Sequence, residues 1–479
     1  MSDDIGFKTA VELLAAYRQK ELSPVEATEA VLDQISRHGN AVNAFALVDE
    51  EAALAAAAAS EARWVRGETL GPLDGIPTTV KDSSLTRGWP TLVGSRSIDP
   101  AQPWDEDAPY VTRLRDAGAV LIGKTTTPEY CWKGVTDSSL NGITRNPWDL
   151  SRTAGGSSGG AGAALAAGMC TLALGTDAGG SIRIPASFCG VFGLKPTFGR
   201  VALHHTENFS SLSVVGPMTR SVIDAALLMN VICQPEDRDW SNLPSNYLDY
   251  LNGLDEGVAN LRIAFSPTLG YASQLNGEVS DCVARAVNLF VTLGAVVEER
   301  DPSIDWPIES YNTIAWAEQS YLLGPIVEKN AAIMDPGLVE IVHVGSGIDE
   351  NQYFGAVAKC LALSHQMSLF YRDFDLLVTP TLPVTAFKAD RYMPKGNDPR
   401  KMNDWLPFSS VFNLSRQPAA TVPCGFATNG LPIGLQIVGP MYGETLVLRA
   451  ARAFEHARNG VGYDYPMTNR AIRRVDSGG

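Results

Sequence analysis

Long hydrophobic runs, basic clusters and cysteine pairs are all scarce in this 479-residue chain. The longest small-apolar stretch, Ala161 to Gly175, is glycine-rich and falls short of the ~20 residues that span a bilayer. The opening MSDDIGFKTA is acidic where a secretory leader is basic and then apolar. A soluble, cytoplasmic protein is the expectation. With 53 acidic against 38 basic side chains the formal net charge is −15, and no basic run exceeds Arg473-Arg474. Nucleic acids and anionic membranes need clustered Lys and Arg to neutralise phosphate, so neither is an expected partner.

The seven cysteines, at 131, 170, 189, 233, 282, 360 and 424, are odd in number and include no Cys-x-x-Cys pair. They read as buried free thiols of a reducing compartment rather than a disulfide framework. Of six histidines only His204 and His205 are close neighbours, and adjacent side chains rarely reach one ion together. No metal and no cofactor are expected.

What the chain does have is ordinary globular composition, 45% hydrophobic and 19% charged, enough for a large core. Ser23-Pro24-Val25-Glu26 places a capping hydroxyl, a proline at the first helical position and a glutamate three residues after the cap. That box predicts a helix to about His38, followed by an Ala-rich helix over Glu50 to Arg66. From Gly71 onward short β-rich runs alternate with helical segments. Strands are expected at 77–80, 119–122, 171–175, 261–265, 295–298 and 376–379, and helices at 108–117, 276–293 and 444–458. Such alternation argues for one α/β/α layered domain: a large mixed, mostly parallel twisted central sheet covered by helices, plus an N-terminal helical segment. No repeat or linker divides it. We expect a helical wrapper over residues 1–65 and a catalytic domain over 66–479. Residues 304–357 should be a helical excursion near a pocket.

Gly118-Ala-Val-Leu-Ile-Gly123-Lys124-Thr125 matches the phosphate-loop pattern letter for letter. That motif works as a loose loop whose N–H groups face phosphate oxygens. Here the middle residues have buried-strand composition, and a helix precedes them where a strand is required. A nucleotide loop is rejected.

Two Gly-flanked serine sites stand out, Gly155-Gly156-Ser157-Ser158-Gly159-Gly160 and Gly179-Gly180-Ser181. Each borders helical or strand-like sequence, unlike a flexible linker. Glycines let backbone N–H groups approach a ligand, and a serine among such donors suits acyl transfer. A tight structural turn or phosphate binding would also fit this composition. A nucleophilic serine needs a base. Neither cluster contains a histidine, although a distant one could still reach. Lys81, closing the apolar run Gly75-Ile-Pro-Thr-Thr-Val-Lys81-Asp82, is the alternative. Free lysine has a pKa of about 10.4, so roughly one in a thousand is neutral near pH 7.4. Burial lowers that value and makes the amine usable as a base. A solvated strand-end lysine is the plainer reading of Lys81 alone.

Taken together, these segments resemble the amidase signature family. The Gly-Gly-Ser-Ser-Gly-Gly box, Gly175-Thr176-Asp177-x-Gly179-Gly180-Ser181-x-Arg183-x-Pro185, Cys189-Gly190-x-x-Gly193-Leu194-Lys195-Pro196-Thr197 and the Gly-x-Pro-x-x-x-Lys-Asp box occur in order. Matches extend to Asn146-Pro147-Trp148-Asp149, Gln417-Pro418-Ala419, Pro423-Cys424-Gly425 and Gly430-Leu431-Pro432, covering about residues 5–460, with a signature core over about 70–220. The resemblance implies Ser181 as nucleophile, Ser157 as proton relay preceded by a cis peptide, and Lys81 as base. It also implies an oxyanion hole from the N–H groups of Ala178, Gly179, Gly180 and Ser181. Asp177 and Arg183 should pair to hold the nucleophile's loop, and Ser158 should act as a helix cap or secondary hydrogen-bonding group.

The chain's Trp405-Leu-Pro-Phe-Ser-Ser-Val-Phe-Asn-Leu-Ser-Arg-Gln-Pro418 resembles the stand-alone amidases. The A subunit of the tRNA-dependent glutamine amidotransferase, with its Y-T-x-P-A-N-L-A-G-like motif, is the competing member. A silent binding protein on the same fold is a third reading, opposed by three filled triad positions. Aromatic, charge-poor stretches at Tyr130-Cys131-Trp132 and Tyr311 to Tyr321, with Trp316 singled out, should line the pocket. The expected partner is a small apolar or aromatic amide and, at most, a second copy of the chain as a homodimer.

Overall fold

Ser23 accepts from the N–H of Glu26 and the Glu26 carboxylate accepts from the N–H of Ser23, opening the helix Pro24–Val42. Thr9 and Glu12 do the same for Ala10–Gln19. Asp49 caps Glu50–Arg66, whose last turn closes on the left-handed Gly67. Between the second and third of these helices the stretch read as helical also holds a strand, Phe45–Val48. This is a computed structural model describing residues 5–203, 211–244, 248–458 and 465–466. The His204-His205 and Arg473-Arg474 pairs lie outside the described residues.

An 11-stranded sheet organises the chain. Its strands are β1 Phe45–Val48, β2 Pro77–Lys81, β3 Val120–Thr125, β4 Leu172–Asp177, β5 Phe192–Lys195 and β6 Val214–Thr219, then β7 Arg262–Phe265, β8 Val296–Glu299, β9 Leu376–Pro380, β10 Ala419–Phe426 and β11 Pro432–Val438. They lie in the order β1-β3-β2-β4-β6-β5-β10-β11-β9-β7-β8. The sheet is mixed, but parallel pairing is confined to two wings, β3-β2-β4 and β9-β7-β8. The centre from β4 to β9 is antiparallel. This corrects the expectation of a mostly parallel sheet. Strands β10 and β11 are joined only by residues 427–431, too few for the crossover that a parallel pair requires.

The phosphate-loop lookalike forms the buried strand β3, its backbone paired to β1 and β2. Lys124 is held by Asp82 at 3.2 Å, by the Pro90 carbonyl at 3.0 Å and by Thr91. Two fully buried helices, Gly159–Ala166 and Arg183–Cys189, pack on the sheet and on each other. Their small residues permit this: a Cβ at Gly160 would lie 2.4 Å from the N of Thr126. The helices Ile308–Asn330 and Pro336–Gly345 pack together above the strand ends. They bury Leu323, Val327, Leu338 and Ile341 against Trp132, Phe188 and Leu406. Among the described residues no helix is long and apolar enough to cross a membrane.

Candidate active site

Strands β2 and β4 are parallel neighbours whose C-terminal ends carry Lys81 and the Thr176-Asp177 pair. Parallel register puts these ends at one edge of the sheet, and the turn before Gly159–Ala166 brings Ser157 to the same edge. The Gly156–Ser157 peptide is cis. Lys81 is fully buried, with Nζ 2.6 Å from Ser157 Oγ and 2.8 Å from Thr176 Oγ1. Burial pushes its ammonium down from the usual lysine range, opposed by the Cys131 thiol and the Asp177 carboxylate. Ser158 occupies the N-cap position, but its hydroxyl does not cap the helix. It donates to the Thr176 carbonyl and accepts from the Thr176 N–H, both at 3.2 Å, while its own N–H donates to the Ser181 carbonyl at 3.1 Å.

The Ser181 loop is fixed from beneath by a buried ion pair. Arg183 Nε and Nη2 each lie 3.0 Å from a different Asp177 oxygen, with both side chains 0% exposed. Arg183 also donates to Asn413 Oδ1 at 2.6 Å and to the Ser409 carbonyl and Gln436 Oε1, both at 2.9 Å. Burial alone would raise the Asp177 carboxyl; Arg183, then Lys195 and Asn413, hold it well below the usual carboxylate range. Burial, reinforced by the Arg183 cation, brings the Lys195 ammonium down to about 7.

Asp177 Oδ1 accepts from the N–H of Gly180 at 2.7 Å, and Oδ2 accepts from the N–H of Ile182 at 3.2 Å. On the other edge of the same peptide, Ser409 Oγ donates to the Gly179 carbonyl at 2.8 Å. The Gly179–Gly180 peptide is therefore pinned at both its C=O and its N–H. Of the four N–H groups expected to form an oxyanion hole, that of Gly180 is bonded to Asp177 in this structure. The N–H groups of Ala178, Gly179 and Ser181 have no acceptor among the described residues.

Above this loop lies a cavity of about 120 Å³ reached by Ser157 and Ser181. Tyr130, Cys131 and Trp132 line it, the first two at positive φ. Trp316 does not line it. Tyr311, Ala315, Glu318, Gln319, Leu322 and Leu323 do, whereas Trp316 packs against the apolar cluster that holds Trp132 and Leu338. Thr176, Ser409, Asn413 and Gln436 were not anticipated; Thr176 stands beside Asp177 on β4, and the other three join the site from remote segments. Both charged lining residues are engaged within the protein. Lys133 pairs with Asp137 and Asp335 at 2.9 Å each, and Glu318 accepts from Ser211 Oγ at 2.6 Å and Tyr353 Oη at 3.2 Å. No cluster of three metal-ligating side chains occurs among the described residues.

The Amidase family matches over residues 26–448. The chain is 37% identical to the A subunit of the glutamyl-tRNA(Gln) amidotransferase of Moorella thermoacetica, over 95% of this chain and 97% of that one. It is 36% identical to an acylamidase of Rhodococcus erythropolis, over 95% and 96%. A solved bacterial aryl acylamidase of the amidase signature enzymes superposes with a TM-score of 0.88 at 30% identity, covering 96% of this chain and 98% of that one.

Proposed function

This chain belongs to the amidase signature family and is an amide-hydrolysing enzyme, and from that premise we propose that Ser181 is its nucleophile, Ser157 its proton relay and Lys81 its base. Ser181 Oγ attacks the amide carbonyl carbon while its proton passes to Ser157 Oγ and the Ser157 proton passes to neutral Lys81 Nζ. The N–H groups of Ala178, Gly179 and Ser181 face the oxygen as it takes up negative charge. The relay returns a proton to the departing nitrogen, the C–N bond breaks, and water clears the acyl-enzyme by the same path. One observation carries this reading: a fully buried lysine, in no ion pair among the described residues, 2.6 Å from Ser157 Oγ.

The substrate we propose is a small apolar or aromatic amide. Ile184, Leu212, Leu322, Leu323 and Leu406 supply much of the wall, and its charged groups are already matched inside the protein. The relative from Moorella favours a second reading, in which the chain is part of an amidotransferase and takes glutamine. Glutamine brings an ammonium and a carboxylate, for which this wall offers only Lys133 and Glu318, both engaged. A net charge of −15 supports a small-molecule partner rather than a nucleic acid, and seven free cysteines fit a reducing, cytoplasmic setting. Residues 1–65 as a wrapper and 66–479 as the catalytic domain complete the reading.

Amine or ammonia release across a library of amides tests it, beside Ser181→Ala and Lys81→Ala. Both variants should lose at least about 10³-fold in rate. Near-normal turnover in either would remove that residue from its role. Preference for glutamine over every apolar amide would move the chain to the amidotransferase reading.

A further inference from the structure

Tyr311 stands in the first turn of the helix Ile308–Asn330 and reaches down to the nucleophile's loop. Its hydroxyl rests on Gly179: a Cβ added there would lie 2.1 Å from Tyr311 Oη and 2.7 Å from its Cζ. A residue with a side chain at 179 would displace the phenol. Tyr311 lines the same cavity as Ser157 and Ser181, and its ring packs with the cluster that holds Ile314 and Phe408.

This phenol lacks a partner. Tyr17, Tyr130, Tyr271, Tyr353 and Tyr371 each place their hydroxyl in a hydrogen bond to the protein. Tyr311 is buried, yet its hydroxyl makes no hydrogen bond among the described residues. An unmatched donor that faces the cavity beside Ser157 and Ser181 is free to bond a ligand atom there. Burial and the Asp177 charge push the phenol above its usual range, which keeps the proton on it.

We infer that Tyr311 is a further catalytic residue, whose phenol O–H donates to the carbonyl oxygen of the scissile amide as charge develops there. The loop gives this a reason. With the Gly180 N–H spent on Asp177, the oxyanion hole has one backbone donor fewer than its four residues could supply. The phenol beside Gly179 takes up that function. Nothing is transferred in the step: the proton stays on Tyr311, and the hydrogen bond shortens as the tetrahedral intermediate forms and relaxes when it collapses.

The inference rests on the Ser181 reading, and the test separates the two. Tyr311→Phe keeps the ring and removes only the hydroxyl. In the full chain, kcat/KM would be measured for a short-chain fatty acid anilide and for the phenyl ester of the same acid. Affinity would be measured for phenylboronic acid, which forms a tetrahedral adduct on the serine, and for the product carboxylic acid. The expected result is a loss of about 10²-fold in kcat/KM on both substrates. Phenylboronic acid should weaken by a similar factor and the carboxylic acid should bind as before. Wild-type kcat/KM would overturn the inference, and so would a loss confined to the anilide, which would place the phenol on the leaving nitrogen. Ser181→Ala that stays active would sink the nucleophile reading instead, whatever Tyr311→Phe does.

Discussion

Replacing Arg183 by leucine should be among the most damaging single changes in this protein, and the contacts say by how much. The guanidinium makes five hydrogen bonds: two to Asp177, and one each to Asn413, the Ser409 carbonyl and Gln436. Both members of the ion pair are 0% exposed, so no water replaces the lost partner. Removing one charge of a buried pair strands the other, at a cost of about 3–5 kcal/mol. Asp177→Asn strands Arg183 and should cost a comparable amount. Removing both charges together strands neither, so the double variant should be less damaged than the summed single losses by about 0.5–3 kcal/mol. Urea unfolding followed by tryptophan fluorescence gives the three values. Turnover should fall in each variant, because Asp177 holds the Gly180 and Ile182 N–H groups. The sign with pH follows from Asp177's depressed folded pKa. It contributes stability above the unfolded carboxyl range, near ~3.9, and loses it as pH falls through the lower folded value. The wild-type advantage over Arg183→Leu should therefore narrow on acidification below that range. Single losses that add to within about 0.5 kcal/mol of the double loss would refute the stranded-charge reasoning.

Ser409→Ala leaves the buried Gly179 carbonyl without its side-chain donor, which should cost about 1–3 kcal/mol of stability. If about 1.4 kcal/mol of that ordering reaches the transition state, kcat should fall about tenfold with KM steady; an unchanged kcat would show the loop is held without it. Because burial lowers the Lys81 pKa, the neutral base appears as pH rises, so kcat/KM should climb on the acid side with a midpoint below the free-lysine value. A pH–rate profile flat through neutrality and falling only in acid would point to another base. Lys195, brought to about 7, binds fewer protons folded than unfolded between there and ~10.4. Wild-type stability relative to Lys195→Met should therefore rise with pH across that window, and a flat difference in unfolding free energy would contradict it.

Elements with strong local signals were legible in the chain itself. Capping at Ser23 and Glu26 and the Ala-rich Glu50–Arg66 stretch give helices close to where the sequence places them. The outer strands, flanked by helical segments, read as parallel because a helix between two strands forces a crossover. Central strands such as Phe192–Lys195 and Pro432–Val438 carry Gly and Pro and little alternation, so their local pattern does not announce a strand. Their direction was settled by short connections and neighbouring strands.

At the site the same division holds. The Gly-Ser clusters and the lysine box drew attention to Ser157, Ser181 and Lys81 as features of single segments, but the roles assigned to them came from the resemblance to the amidase signature family, since local chemistry alone fits a tight turn or a solvated lysine as well. Whether the Gly180 N–H faces the cavity or Asp177 is a property of one peptide plane, decided by Ser409 from 229 positions further along. Choosing Tyr311 over Trp316 depended on how one helix is rotated above the sheet. Residue types and spacing determined which groups could react. Packing of remote segments decided which donors are free to face the substrate, because a hydrogen bond to a distant side chain leaves no trace in local sequence.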